Sequence, residues 1–190
     1  MRTERDATVK RLENAVRTRL RDLRRAIGSG DDSQLVVWVL DGELACSQRP
    51  LRDHLRFGGR GPLPPEAKRD VKDWVDRIVA LGFRGVICLS HAKELRYYDG
   101  LKLHSDGLLG FLQASGLRVQ HLPWLDPAHA STPEEREQRL ARVEDIKLQA
   151  KSAFDRMVKP VLLFCSAGID RSPPVAAFIA ASRVRDVDSG

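Results

Sequence analysis

The stretch LLFCSAGIDRS, residues 162–172, carries the strongest structural signal in the sequence. It begins with apolar residues typical of a buried strand, passes through small residues, and ends with an Asp, an Arg and a Ser. Cys165 and Arg171 stand six positions apart, so that one short loop carries both a thiol and a guanidinium. A loop between a parallel strand and a helix N-terminus points backbone N–H groups inward and binds oxyanions. We therefore expect residues 165–171, called the Cys–Arg loop below, to bind a phosphate group.

The side chains of this loop predict a particular chemistry. The positive field at a helix N-terminus favours the thiolate form of Cys165, which is the nucleophilic form. Arg171 can grip two phosphate oxygens with its planar fork, and Ser172 can donate a hydrogen bond to the departing sulfur. Attack by Cys165 on phosphorus would give a cysteinyl-phosphate intermediate. The residues expected to bind substrate are Ser166, Ala167, Gly168, Ile169, Asp170 and Arg171.

Apolar runs bounded by turn residues predict the surrounding fold. The predicted strands are 35–40, 83–90, 117–125 and 160–165. The predicted helices in the same part of the chain are 71–79, 104–115, 131–158 and 172–184. Strands that alternate with helices predict an α/β fold, with a central, mostly parallel sheet of four to five strands flanked by helices. The phosphate-binding loop would lie between the last strand and the last helix.

The N-terminal region is predicted to be a basic amphipathic helix, residues 1–30, ahead of a domain of residues 31–190. Its apolar residues recur at helical spacing, namely Val9, Leu12, Val16, Leu20, Leu23 and Ile27. Residues 1–28 hold nine Arg or Lys against four Asp or Glu, although the whole chain has a net charge of only +6. Packing on its own domain is the favoured interpretation, followed by a protein partner or an anionic membrane. Nucleic acid is disfavoured because no aromatics alternate with the basic residues.

Composition excludes several classes of protein. No apolar run approaches the ~18–20 residues of a membrane span, and the N-terminus has no apolar signal-peptide core. Cys46, Cys88 and Cys165 are widely spaced, which argues against a disulfide scaffold or a zinc site. Cys46 and Cys88 are expected to be buried structural residues. We expect a cytoplasmic protein that needs no metal and no cofactor.

Residues 165–172 resemble the C-x5-R-[S/T] signature of the cysteine-dependent protein tyrosine phosphatases, particularly the dual-specificity group. The similarity covers most of residues 35–183, with VLDGELACSQRP (39–50) resembling the first strand and turn, and GFRGVICLS (82–90) the second strand. Low-molecular-weight phosphatases and arsenate reductases carry this spacing near the N-terminus, whereas here three predicted strands precede it. The resemblance implies a phosphatase that acts on phosphotyrosine, and on phosphoserine or phosphothreonine, in proteins.

The resemblance also implies a general acid, an Asp on the loop after the preceding strand, which protonates the leaving oxygen. The segment HLPWLDPAH (121–129) places Asp126 in that position, 39 residues before Cys165. This separation is longer than usual in the family, and the extra residues would add roughly two turns to the intervening helix. The alternative is that Asp126 only caps a turn.

Two residues depart from the family pattern. Phe164 stands where the family usually has a His that helps to keep the thiolate charged, so that Cys165 is expected to be less activated. Asp170 resembles the GxDR[ST] loops of myotubularins, Sac-type inositide phosphatases and some bacterial phosphatases. We expect Asp170 to pair with a basic neighbour rather than to act as the main acid. Ile169 stands where the bacterial enzymes have Lys, which disfavours a highly charged inositide headgroup.

Two alternative functions follow from the same residues. One is a phosphoinositide, RNA or nucleotide phosphatase, because this loop serves several kinds of phosphate ester. The other is a catalytically weak pseudophosphatase that binds phosphorylated partners, because of Phe164. The chain after the signature helix is shorter than in dual-specificity domains, which continue for two more helices. The N-terminal helix is expected to cover the surface that those helices would cover.

Overall fold

The computed structural model describes residues 2–188, and the side chains of residues 6–183. Its strands are β1 (Val37–Leu40), β2 (Leu44–Gln48), β3 (Gly85–Cys88), β4 (Arg118–His121) and β5 (Val161–Cys165). Its α-helices are α1 (Arg2–Gly28), α2 (Lys68–Ala80), α3 (Ala92–Leu95), α4 (Gly107–Ala114), α5 (Pro133–Ala141), α6 (Val143–Arg156) and α7 (Ser172–Asp188). Short 3-10 helices cover Pro65–Ala67, Arg96–Leu101 and Pro127–His129.

The five strands form one sheet in the order β1-β2-β5-β3-β4. β1 pairs antiparallel with β2, and every other neighbouring pair is parallel. This arrangement confirms the predicted fold class, an α/β fold with a mostly parallel sheet flanked by helices. Because the parallel strands point the same way, the ends of β3, β4 and β5 meet at one edge of the sheet, where the Cys–Arg loop begins.

The central strand β5 is buried throughout, and its residues alternate between two hydrophobic cores. Leu163 and Cys165 face the core that α1, α6 and α7 cover. Leu162 and Phe164 face the opposite core, which α2 and α4 cover. Burial on both faces explains why this strand reads as a continuous apolar run. It also places Cys165 and the preceding Phe164 on opposite sides of the sheet.

The N-terminal helix packs on its own domain, as the favoured interpretation expected. Four of its predicted apolar residues enter the first core, namely Val16, Leu20, Leu23 and Ile27. In that core they lie with residues of α7, such as Val175 and Ile179. Val9 and Leu12 are only partly buried. The helix therefore completes one face of the sheet.

The predicted strand at 35–40, followed by a turn, is wrong in part. Residues 35 and 36 precede β1, and the segment taken as the turn contains β2, a strand that is buried along its whole length. Gly42, at φ +69°, allows the tight turn between these strands. The residues Ala45, Cys46 and Ser47 are too small to give β2 a strong strand signal. Cys46 and Cys88 are both buried free thiols, as expected.

The predicted helix at 131–158 is two helices, α5 and α6, divided at Arg142. α6 buries four residues against the sheet, namely Ile146, Ala150, Ala153 and Phe154. α5 buries no residue and instead packs against the 3-10 helix at Pro127–His129. The two halves separate because they pack on different parts of the molecule.

The short helix α3 and the 3-10 helix after it were not predicted. Among the described residues, no helix has the length and apolar character needed to cross a membrane.

Leu20→Ala should destabilise the protein, because Leu20 is only 1% exposed in the core between α1 and α7. Truncation of a buried leucine typically lowers the free energy of unfolding by about 2–5 kcal/mol. Urea denaturation followed by circular dichroism measures the change. Thr18→Ala is the matched control on the exposed face of α1, and it should change stability by less than about 0.5 kcal/mol. Equal stabilities for the two variants would show that α1 contributes nothing to the core.

Candidate active site

The Cys–Arg loop joins the end of β5 to the start of α7. Gly168 turns the chain with a φ of +80°, a conformation that favours glycine. A Cβ atom at Gly168 would lie 3.1 Å from the carbonyl oxygen of Ser47 on β2, so space also requires glycine here. The N–H of Gly168 donates a hydrogen bond to Sγ of Cys165 at 3.2 Å.

Arg171 is completely buried and is held at the edge of the sheet by three acceptors. Its Nη1 donates to the carbonyl of Trp124 at 2.7 Å and contacts that of Leu89 at 3.3 Å. Both Nη atoms also bind the carboxylate of Glu94, at 2.8 and 2.7 Å. Burial by itself lowers the pKa of Arg171, but nearby negative groups outweigh it and raise the pKa. Arg171 is therefore a fixed positive charge.

Two donors at the junction of the Cys–Arg loop and α7 have no hydrogen-bond partner among the described residues. They are Nε of Arg171 and Oγ of Ser172, and both are buried. Arg171 Nε lies 3.6 Å from Oδ2 of Asp126, which is an ion-pair distance but too long for a hydrogen bond. Buried donors without acceptors are costly. A tetrahedral oxyanion in the loop would supply the missing acceptors.

Glu94 is a site residue that the sequence did not reveal. It lies on α3, directly after β3, and its Oε2 also accepts a hydrogen bond from the backbone N–H of His91 at 2.8 Å. His91 and Glu94 form a capping box, and this motif in HAKEL was the available signal. Burial raises the pKa of Glu94, but the hydrogen bonds and charge of Arg171 outweigh it and hold the pKa below its usual value.

Arg49 is a second residue that was missed, and it supports the beginning of the loop. It follows β2 and is 1% exposed. Its N–H contacts the carbonyls of Cys165 and Ser166 at 2.9 and 3.0 Å. Its guanidinium contacts Ser166 Oγ at 3.3 Å and binds Tyr98 Oη at 3.1 Å and the carbonyl of Gly59 at 2.7 Å. A buried Arg with so many backbone contacts positions the loop.

The N-terminal helix also contacts the loop. Arg17 on α1 donates from Nε to the carbonyl of Ile169 at 2.9 Å. Its Nη2 binds Glu13, one turn earlier, at 2.6 Å, which holds the Arg17 side chain in place. The helix predicted as a separate segment is therefore in direct contact with the Cys–Arg loop.

Asp126 lies beside the loop, as the sequence predicted. Its side chain is 13% exposed, and Oδ2 is 3.5 Å from Nδ1 of His129. Its other oxygen, Oδ1, accepts from the N–H of Ala128 at 2.9 Å and caps the following 3-10 turn. Arg139 on α5 binds the backbone carbonyl of Asp126. Asp126 therefore caps a turn and also lies within ion-pair distance of Arg171.

The expectation that Asp170 pairs with a basic residue is not borne out. The carboxylate of Asp170 makes no ion pair or hydrogen bond among the described residues, and its side chain lines the same cavity as Asp126. Burial, together with the charge of Asp126, raises the pKa of Asp170. The raised pKa keeps the Asp170 carboxyl protonated to higher pH. Asp170 is thus a second carboxyl group in the cavity, in addition to Asp126.

Phe164, which stands where the phosphatases that the loop resembles usually have His, does not line the cavity. It is completely buried in the second core, where its ring packs edge-on against Trp74 with centroids 6.4 Å apart. Because neighbouring residues of a strand point to opposite faces, Phe164 and Cys165 diverge. Phe164 thus contributes packing to β5 and no polar group to the loop.

A cavity of about 310 Å³ opens above the loop. Five of the predicted site residues line it, namely Asp126, Ser166, Ala167, Ile169 and Asp170. The other four, Cys165, Gly168, Arg171 and Ser172, are buried behind them. The structure thus brings all the predicted site residues together. Within the described part of the chain, no three His, Cys, Asp or Glu side chains converge as a metal site.

Comparisons with known proteins identify no relative. No family model matches the chain, and neither a curated protein nor a solved structure matches it.

Glu94→Gln should destabilise the protein at pH 7, because it removes the charge that neutralises buried Arg171. Breaking a buried ion pair costs roughly 3 kcal/mol. The lowered pKa of Glu94 makes its contribution present above the unfolded-state pKa of about 4.3 and lost as the pH falls further. The difference in urea stability from wild type should therefore shrink below about pH 4. Glu66→Gln, at an exposed Glu, is the control and should show no such change. A deficit that is independent of pH would contradict this role.

Proposed function

We propose that the protein is a cysteine-dependent phosphatase of the dual-specificity type, which hydrolyses phosphate monoesters. The observation that carries the proposal is Arg171, which is buried, bound to Glu94 on one side, and left with an unpartnered Nε beside the thiol loop. This arrangement is suited to a phosphate whose oxygens lie between the guanidinium and the loop N–H groups. The proposed substrates are proteins that carry phosphotyrosine, phosphoserine or phosphothreonine.

In the proposed mechanism, Sγ of Cys165 attacks phosphorus in line with the leaving oxygen. The S–P bond forms while the P–O bond breaks, and Asp126 gives its proton to the leaving oxygen. Water then attacks phosphorus, Asp126 takes the proton, and the thiolate departs with a hydrogen bond from Ser172. Arg171 and the loop N–H groups hold the charge of the phosphoryl oxygens throughout. The reaction requires a reduced thiol, consistent with the proposed cytoplasmic location.

The second candidate function is the binding of phosphorylated partners without turnover. Cys165 is only 1% exposed. The residue before it, Phe164, packs in the opposite core and places no imidazole beside the thiol. A phosphate could bind in the loop while the chemical step is slow. Such a module would keep Arg171 and the loop N–H groups as its binding residues.

Wild-type protein should hydrolyse p-nitrophenyl phosphate with a burst of nitrophenol, because a covalent intermediate forms before it is hydrolysed. Cys165→Ser should abolish turnover and keep the affinity for orthovanadate within about threefold, because Arg171 and the loop amides remain. Stopped-flow absorbance and equilibrium titration measure the two quantities. Cys88→Ser, at a buried thiol away from the cavity, is the control. Vanadate binding without wild-type turnover would establish the binding module instead.

Asp126→Asn should lower kcat by about 10²- to 10⁴-fold toward an alkyl phosphate, whose leaving oxygen needs a proton. The loss should be much smaller with a nitrophenyl leaving group, which departs without protonation. Asp170→Asn is the matched variant, because it removes the second carboxyl in the same cavity, and it should keep most of the alkyl phosphate activity. The opposite result would assign the acid to Asp170.

A further inference from the structure

A cavity of about 240 Å³ lies between the end of α1, the end of β2 and helix α2. We call it the acidic cavity. Its walls include four buried apolar residues, namely Ile27, Leu35, Leu51 and Trp74. None of the residues that line it also lines the cavity above the Cys–Arg loop. The acidic cavity is therefore a separate feature from the candidate active site.

Negative charge exceeds positive charge in the acidic cavity, although the whole chain has a net charge of +6. Its lining contains a single arginine, Arg77, and three aspartates, namely Asp32, Asp70 and Asp73. Nη1 of Arg77 binds Oδ2 of Asp32 at 2.9 Å, so these two charges offset each other. The carboxylates of Asp70 and Asp73 remain as the excess negative charge.

Asp70 and Asp73 have only distant ionic partners. Oδ1 of Asp70 lies 3.9 Å from Nε2 of His54, and Oδ2 of Asp73 lies 3.8 Å from Nε of the exposed Arg69. Both distances are too long for a hydrogen bond. The other ring nitrogen of His54, Nδ1, accepts the backbone N–H of Phe57 at 3.2 Å, as only an unprotonated nitrogen can. His54 therefore does not neutralise Asp70.

Gln48 adds a buried acceptor that has no donor. It is the last residue of β2, it lines the acidic cavity, and it is only 3% exposed. Its Oε1 has no hydrogen-bond partner among the described residues. A buried carbonyl oxygen without a donor is costly, and a ligand that brings an N–H group removes that cost. The carboxylates and this oxygen thus require the same kind of ligand, a positively charged donor.

The lining of the acidic cavity distinguishes between kinds of cation. Within residues 6–183, whose side chains the structure describes, no three His, Cys, Asp or Glu converge as a metal site. An ammonium group, in contrast, carries three donors and needs only a carbonyl and a carboxylate as acceptors. The apolar walls provide for an apolar body attached to it, and a Trp such as Trp74 is the side chain that best attracts an organic cation.

We propose that the acidic cavity binds a primary ammonium group on an apolar stem, which donates hydrogen bonds to Oε1 of Gln48 and to the carboxylates of Asp70 and Asp73. A free organic amine and the lysine side chain of a partner protein share this chemistry. The site does not depend on the proposed function, because no residue of the candidate active site takes part. Amine binding and phosphate ester hydrolysis therefore succeed or fail separately.

Binding is tested on the full chain by isothermal titration calorimetry with benzylammonium. Benzyl alcohol is the neutral ligand of nearly the same shape. Benzylammonium should bind saturably to one site, at least ~10-fold more tightly than benzyl alcohol at low salt. The difference should fall as ionic strength rises, because part of it is attraction between charges. Equal affinities, or no saturable binding of benzylammonium, would overturn the site.

Two variants remove the proposed acceptors one at a time. Gln48→Met keeps the length of the side chain, removes its carbonyl, and should weaken benzylammonium binding about 10-fold. Asp70→Asn should weaken it about threefold, because this carboxylate is partly exposed, and should leave benzyl alcohol binding unchanged. Asp76→Asn is the matched control, since Asp76 is an exposed carboxylate of the same helix that does not line the acidic cavity. It should bind as wild type does.

The control separates a local site from the general attraction of an acidic helix surface. A loss in Asp76→Asn equal to that in Asp70→Asn would overturn the site, and so would wild-type affinity in Asp70→Asn. Because Asp70 is partly exposed, its variant tests the site even if Gln48→Met does not fold.

Two short capped peptides, one with a central lysine and one with a central arginine, identify the source of the cation. Tighter binding of the lysine peptide than of benzylammonium, with the same loss in Asp70→Asn, would support the site and assign its ligand to a partner protein. Weaker binding of the lysine peptide would support the site and assign it to a free amine. Tighter binding of the arginine peptide than of both other ligands would overturn the assignment of an ammonium group.

Discussion

The buried ion pair between Arg171 and Glu94 is the interaction on which the arrangement of the site depends. A guanidinium with no exposed surface requires hydrogen-bond acceptors around it. The carboxylate of Glu94 and the carbonyls of Leu89 and Trp124 provide these acceptors. These acceptors follow β3 and β4, whose ends reach the same edge of the sheet as the end of β5 because these strands are parallel. The order of the sheet therefore fixes the position of Arg171 at the end of the Cys–Arg loop.

The loop itself is restrained from three directions. Arg49 binds its first carbonyls, Arg17 of α1 binds the carbonyl of Ile169, and Ser47 of β2 allows no side chain at Gly168. Such restraint holds the loop in one conformation before any ligand arrives, which lowers the cost of binding a ligand there. Because α1 supplies one of these contacts, the packing of this helix and the position of the loop are linked.

The two carboxyls near the loop, Asp126 and Asp170, illustrate how environment separates chemically identical groups. Asp126 accepts a backbone N–H bond and lies within ion-pair distance of Arg171. Asp170 has no such partner, and burial raises its pKa. The sequence led to the opposite expectation, in which Asp170 was the paired carboxylate. Hydrogen bonds and burial distinguish the two carboxyls, and both are properties of the folded chain.

The sequence by itself determined the α/β fold and the Cys–Arg loop, because apolar periodicity and local spacing encode strands, helices and tight loops. The position of Asp126 beside the loop was predicted from the resemblance to the phosphatases. The sequence could not reveal Glu94 or Arg49, which lie 77 and 122 positions before Arg171 and become neighbours only when the parallel sheet forms. Nor could it reveal β2, whose small residues form a strand because strands β1 and β5 lie on either side. The contact of Arg17 with the Cys–Arg loop likewise depends on α1 packing across the sheet, a long-range contact that no local pattern specifies.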